Sequence, residues 1–282
     1  DTPEDAKWLG EGQYQTTVKP DRTSKTDRYF RFSVPPRHHG RVVFTPIVQG
    51  NAMWEDTEVK VEPTEVTNEG DPACGEFPGS WGETASGGPG FGIGSAYASM
   101  KRTDEDEMEC DMSDILVKMQ ISNSGDEVAE DVPIEVGIFY EPIPGKEQAD
   151  DWEDRRVYSA GEYQGEMPIE NSQPVSGGTG FNDAVEITEG TYSDHIVPGE
   201  FKFFKIPVTY GQRPVIRAKT PPSVARNADD IAFGVKDPLR NGVAGGKLIF
   251  FDDPEESDPE TANQYVWYGS DTPYQGDYYV WF

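Results

Sequence analysis

Apolar and polar residues alternate along this chain in short runs, and Gly, Pro, Asn and Asp punctuate them. This is the period-two pattern of half-buried strands. No stretch carries the 3.6-residue period of a long amphipathic helix, and residues 149–157 offer room for one short helical turn. The first block of expected strands covers residues 12–18, 28–34, 41–48, 58–63, 95–101, 114–122 and 133–141, with a Gly/Pro-rich excursion over 71–94. The second covers 190–197, 201–208, 214–219, 230–236, 246–251, 265–268 and 277–282.

The two blocks say the same thing twice. Glu11-Gly12-Gln13-Tyr14-Gln15-Thr16-Thr17-Val18-Lys19-Pro20 is echoed without a gap by Glu189-Gly190-Thr191-Tyr192-Ser193-Asp194-His195-Ile196-Val197-Pro198. An aromatic strand follows each, Tyr29–Val34 and Phe203–Val208. A turn ending in Gly40 or Gly211 then leads to Arg41–Phe44 or Pro214–Arg217. Duplication of a strand-turn-strand unit implies two copies of one β-domain. The expected fold is all-β, two tandem jelly-roll-like antiparallel β-sandwiches: residues 1–147, a charged linker over 148–174, and residues 175–282.

The segment Gly276–Phe282 matches Ser113–Met119 in position and pattern. Copy one then supplies a further strand, Ile134–Pro142, for which copy two has no counterpart. The expectation is a second sandwich trimmed before its last strand, with an unpaired edge along Asp277–Phe282 that would template pairing with another chain. A continuation beyond Phe282, with an anchoring segment, is part of that expectation. The polar start Asp1–Ala6 reads likewise as a trimmed beginning.

The net charge of −28 and the abundance of Asp and Glu change the picture of partners. Nucleic-acid backbones need clustered Lys and Arg to displace counterions, and anionic lipid surfaces need the same. Both are excluded as ligands of this fragment. What remains is solvation and colloidal repulsion, or divalent-cation sites. Asp252, Asp253 and Glu255 are candidate Ca2+ ligands, although they lack the spacing of an EF-hand loop. The runs 104–107 and 229–230 are acidic in the same way. No other cofactor is expected.

Two cysteines, Cys74 and Cys110, are about 36 residues apart. A disulfide between them would close a loop worth roughly 4 kcal/mol in the chain-entropy model; buried thiols or half of a metal site are the alternatives, and no CxxC supports the latter. An exported, disulfide-bonded protein is the reading that suits this composition.

Candidate chemistry is thin. His38 and His39 fall in a turn after Pro35-Pro36, and His195 stands where copy one has Thr17, so no histidine is shared between the copies. Gly88-Pro89-Gly90-Phe91-Gly92-Ile93-Gly94-Ser95 has the look of a phosphate loop but lacks the following helix and the βαβ frame. Trp267, Tyr268, Tyr274 and Trp281 are candidate carbohydrate-stacking aromatics, set against a core role for the same rings.

The run Gly178–Ala184, followed by Glu189–Glu200 and continuing through Gly211-Gln212, resembles bacterial pre-peptidase C-terminal (PPC-like) β-sandwich modules. The closest likeness is to tandem versions in secreted or membrane-anchored actinobacterial proteins, some with von Willebrand factor A domains. Copy two fits well and copy one loosely, with Gln15 and Asp21 departing from the pattern and four residues inserted before Tyr29. The resemblance implies a jelly-roll-like sandwich and an extracellular or cell-envelope setting, and it transfers no catalytic residues. The expected function is a non-catalytic accessory protein: a binding, assembly or spacer module whose partner is a protein or cell-wall polysaccharide. The alternative is an extracellular hydrolase acting on glycans, with its site between the two sandwiches.

Overall fold

The computed structural model describes residues 2–19, 26–46, 57–66, 96–102, 114–123, 132–142, 145, 169–197, 200–212, 214–218, 230–240, 242, 248–250, 260–261 and 275–282. The chain divides into two units, Asp1–Pro144 and Gly145–Phe282. Among the described residues the elements are strands, apart from one 3-10 turn at Pro3–Asp5. The protein is all-β.

Unit 1 contains β1 (Lys7–Trp8), β2 (Gly12–Val18), β3 (Thr26–Ser33), β4 (His38–Pro46), β5 (Thr57–Val66), β6 (Ala96–Arg102), β7 (Asp114–Asn123) and β8 (Val132–Pro142). They form two four-stranded sheets, β1-β3-β7-β5 and β2-β8-β4-β6. Among the described residues of this unit only the β1–β3 pair is parallel. Alternation sends every second side chain inward. Phe32, Val117 and Met119 from the first sheet meet Val18, Val42, Phe44, Ile134, Val136 and Ile138 from the second in one buried cluster. Full burial of such side chains is worth about 1.5–3 kcal/mol each. A nearly buried ion pair, Arg41 to Glu141 at 2.7 Å, ties β4 to β8.

Unit 2 contains β9 (Gln173–Pro174), β10 (Val185–Glu186), β11 (Tyr192–Ser193), β12 (Phe203–Val208), β13 (Val215–Ile216), β14 (Asp230–Ala232), β15 (Gly234–Lys236), β16 (Leu248–Phe250), β17 (Glu260–Thr261) and β18 (Gly276–Trp281). Its four-stranded sheet, β10-β12-β18-β15, repeats β1-β3-β7-β5 strand for strand, including the parallel first pair. The registers agree as well: Phe30 lies opposite Val117, and Phe204 opposite Val280. The match of Gly276–Phe282 to Ser113–Met119 therefore holds residue for residue. The remaining strands pair two by two, β11 with β9, β13 with β17 and β14 with β16. Residues 230–236 break at Phe233, where the chain leaves β16 for β18.

Three expectations need correction. The edge along Asp277–Phe282 is not open, because β18 lies between β12 and β15 and is hydrogen-bonded on both sides. In unit 1 the strand without a counterpart, β8, belongs to the other sheet, between β2 and β4. Crossover connections, not chain order, decide strand neighbours, which is how the edge was misplaced. The histidines are not in a turn: His38 and His39 open β4, and the reversal is made at Pro36-Arg37, where Arg37 has φ 57°. Finally, the third strand of copy two is shifted by one residue. Val34 and Val208 occupy equivalent places, so equal loops make Ile216 the counterpart of Val42, and Ile216 indeed packs against Val208, Val235 and Tyr278.

Gln173 and Pro174, expected in the linker, form β9 of unit 2: the Gln173 N–H donates to Thr191 O, and the N–H of the next residue, Val175, donates to Ser193 O.

Candidate functional site

The repeated Glu-Gly-x-Tyr element is the feature with the clearest local chemistry. In both copies the tyrosine ring folds back over the glycine two residues before it, and its hydroxyl donates to the carbonyl four residues upstream. The distances are 3.1 Å from Tyr14 Oη to Gly10 O and 3.2 Å from Tyr192 Oη to Thr188 O. A side chain on Gly190 would press on the Tyr192 ring at 3.3–3.4 Å. The motif is a tyrosine corner that fixes the bend between strands of different sheets.

The other polar residues of the motif are engaged in the same manner. Asp194 accepts from the N–H groups of Gly177 (2.8 Å) and His195 (2.7 Å). Asp183 accepts from Thr179 N–H, Thr179 Oγ1 and Gly180 N–H at 2.7–3.0 Å. Burial of Asp183 raises its pKa, but these hydrogen bonds outweigh the burial and hold its carboxyl below the usual range. Glu200 accepts from Val197 N–H at 3.1 Å, and Gln212 from Thr209 N–H at 2.8 Å, each closing a tight turn. Lys202 sits 2.7 Å from Glu200; their bond lowers the pKa of Glu200 and raises that of Lys202. These are loop-fixing roles.

On the outer face of the β10-β12-β18-β15 sheet, the Gly178–Ala184 loop inserts Phe181 between Phe203 and Tyr279, with ring centroids 4.8 Å apart in each case. The guanidinium of Arg240 covers the Phe181 ring at 4.5 Å, and its Nη2 donates to Asn182 Oδ1 at 3.3 Å. Arg240 is fully buried and adopts a left-handed conformation, φ 63°, at the end of the Asp237–Arg240 turn. Lys236 Nζ donates to its carbonyl at 3.0 Å. Sequence reading missed Arg240; its only local sign was the Asp237-Pro238-Leu239-Arg240-Asn241-Gly242 turn signature.

Trp281 belongs to this same face. It is 9% exposed and packs over Gly234 and toward Phe201, whose ring centroid is 6.4 Å away. Trp267, Tyr268 and Tyr274 lie outside the described residues, as do Cys74, Cys110, Asp252, Asp253, Glu255, the run 104–107 and the Gly-rich loop at 88–95. His38 Nδ1 is 2.7 Å from Pro36 O, and His195 is exposed. Among the described residues no three His, Cys, Asp or Glu side chains converge as a metal site. No protein-family model matches this chain, and no curated protein matches it.

Proposed function

We propose that this chain is a non-catalytic accessory protein of the extracellular space or cell envelope, built of two jelly-roll-like sandwiches and acting as a binding or assembly module. The observation that carries the reading is how the polar side chains of the duplicated motif are used. Tyr14, Tyr192, Asp183, Asp194, Glu200 and Gln212 each hold a loop or turn of their own unit. What is repeated is a framework, whereas the residues suited to proton transfer, such as His195, are not repeated. Catalysis needs groups held near a reacting atom, and a framework duplicated without such groups serves to present surfaces.

Incubation with a panel of cell-wall polysaccharides and chromatography of the supernatant tests this. Retention of intact glycan, or no interaction at all, agrees with the reading. Release of shortened glycan that survives rigorous purification would overturn it.

A further inference from the structure

The two copies of the repeat separate what the fold needs from what it does not. β1 of unit 1 and β10 of unit 2 are the same element. Each is a two-residue strand paired in parallel with an aromatic strand: Lys7 beside Phe30 and Trp8 beside Arg31, Val185 beside Phe204 and Glu186 beside Lys205. The next residue continues both ladders, the Leu9 N–H donating to Arg31 O at 2.8 Å and the Ile187 N–H to Lys205 O at 2.9 Å. Trp8 and Glu186 therefore hold one position. In unit 2 a carboxylate beside a lysine fills it and the same sheet forms, so the framework does not require a tryptophan there.

Trp8 is 56% exposed, the more open of the two exposed large hydrophobics among the described residues; the other is Val197, in unit 2. Phe30 and Phe32 turn toward the core of unit 1, so alternation sets Arg31, with Trp8 beside it, on the outer face of the sheet. The Arg31 guanidinium carbon stands 6.0 Å from the centre of the indole, and Arg31 Nη2 donates to Pro3 O at 3.4 Å. One face of the ring is thus backed by a tethered cation while much of the ring meets water. Openness belongs to the position itself: Glu186 is exposed too, with residues 173–184 of the same unit in place before it.

From this we infer that Trp8 is a stacking platform for one neutral pyranose ring of a β-linked glycan, with Arg31 fixing the indole from behind. The inference rests on the accessory binding role proposed above and names its ligand. A protein partner is disfavoured by area: one ring falls far short of the roughly 1,600 Å² of a standard interface. Among the described residues of unit 1 no second exposed large hydrophobic extends it into the apolar centre such an interface needs. A sugar ring is amphipathic in the matching way. An all-equatorial pyranose turns a flat C–H face to the negative face of an aromatic ring and carries hydroxyls around its rim. Glu4, Asp5 and Lys7, all exposed and close to Trp8 in sequence, supply acceptors and a donor for those hydroxyls. The net charge of −28 repels anionic glycans, so the preferred ring is neutral.

The test uses the 282-residue chain and, as probes, β-1,4-linked hexasaccharides of glucose and of N-acetylglucosamine. Binding is followed by NMR through the Trp8 indole N–H signal, assigned by its disappearance in Trp8→Phe. Saturable movement of that signal with at least one probe is expected, with a Kd on the order of 1–10 mM, as a single stacked ring allows. Trp8→Glu installs the residue that unit 2 carries; it should weaken binding at least about ten-fold and leave the unfolding midpoint of unit 1 unchanged. Trp8→Phe should keep part of the binding. A Trp8 signal that neither probe moves overturns the platform. So does binding that survives Trp8→Glu, or a lowered unit 1 midpoint in that variant, which would make the indole part of the framework. These outcomes are separate from glycan turnover: failure at Trp8 leaves the accessory reading standing, and release of shortened glycan removes that reading whatever happens at Trp8.

Discussion

The guanidinium of Arg240 lies 4.5 Å from the centre of the Phe181 ring, inside unit 2 and away from solvent. A desolvated cation over an aromatic face is worth about 2 kcal/mol or more, and here it locks the Gly178–Ala184 loop onto β12 and β18. Arg240→Ala is expected to destabilise unit 2 by at least about 2 kcal/mol. Phe181→Leu, which keeps an apolar side chain but loses the ring, is expected to cost about 1–3 kcal/mol. Guanidinium titration followed by amide signals from each unit checks both, and the unit 1 transition should keep its midpoint.

The tyrosine corners predict a matched pair of effects. Tyr14→Phe and Tyr192→Phe each remove the hydroxyl-to-carbonyl hydrogen bond, at about 0.5–1.5 kcal/mol apiece, and Tyr192→Phe also removes the bond that the hydroxyl accepts from Thr188 N–H. Each change should act on its own unit, and the double variant should show the two losses independently. Equal stability of Tyr192→Phe and the parent in urea would show that the repeated corner is not a stabilising device.

How much of this was legible in the sequence depends on the distance over which each feature is encoded. The repeated Glu-Gly-x-Tyr element was visible because its residues are adjacent and it appears twice, whereas the hydroxyl-to-carbonyl bond that makes it a corner came only with the structure. The match of β7 to β18 was visible because alternation marks a strand's faces. The place of β18 in the middle of its sheet was not, since that depends on β15, some forty residues upstream, crossing to pair with it. The one-residue slip at Ile216 came from matching Gly211 to Gly40, although Gly211 has a left-handed φ of 83° in its turn and Gly40 sits within β4. Of the candidate site, Trp281 reads from the sequence as an aromatic in an alternating strand. Which face it joins was settled by Phe181, a hundred residues earlier.

Gly178 admits no side chain. A Cβ there would run into the Asp183 backbone carbonyl, while Gly178 also exchanges two 2.9 Å hydrogen bonds with Phe203. Gly178→Ala must therefore displace backbone, at about 1–3 kcal/mol, and should loosen Phe181 in the process. Gly145→Ala meets nothing within 4 Å and serves as the neutral control. Thermal unfolding of the two variants, compared with the parent, distinguishes them directly.

Asp183 makes the acid limb of stability asymmetric. Its carboxyl is held below its usual pKa by the N–H groups of Thr179 and Gly180 despite burial. A depressed folded pKa contributes stability that is fully present above the unfolded value, near 3.9, and is lost as pH falls through the folded value. Asp183→Asn should lower the stability of unit 2 at neutral pH and flatten its decline below about pH 4. Denaturant midpoints measured from pH 7 to pH 2 read both effects; parallel curves for the variant and parent would remove Asp183 from the acid transition.

The central position of β18 also sets an order of events during synthesis. β12 and β15 cannot join into one sheet until the strand between them has been made, and that strand is residues 276–281. Phe181, Phe203 and Phe204 leave the ribosome about seventy to a hundred residues before the partners that cover them. At roughly 5–20 residues per second their apolar faces wait several seconds without a sheet. Unit 1, whose last strand closes at Pro142, has by then had all its strands available. Unit 1 passes through the same kind of interval, since β3 waits for β7 and β2 for β8. Each unit therefore has a stage of synthesis open to misassociation, and the mutual repulsion of an acidic nascent chain opposes it.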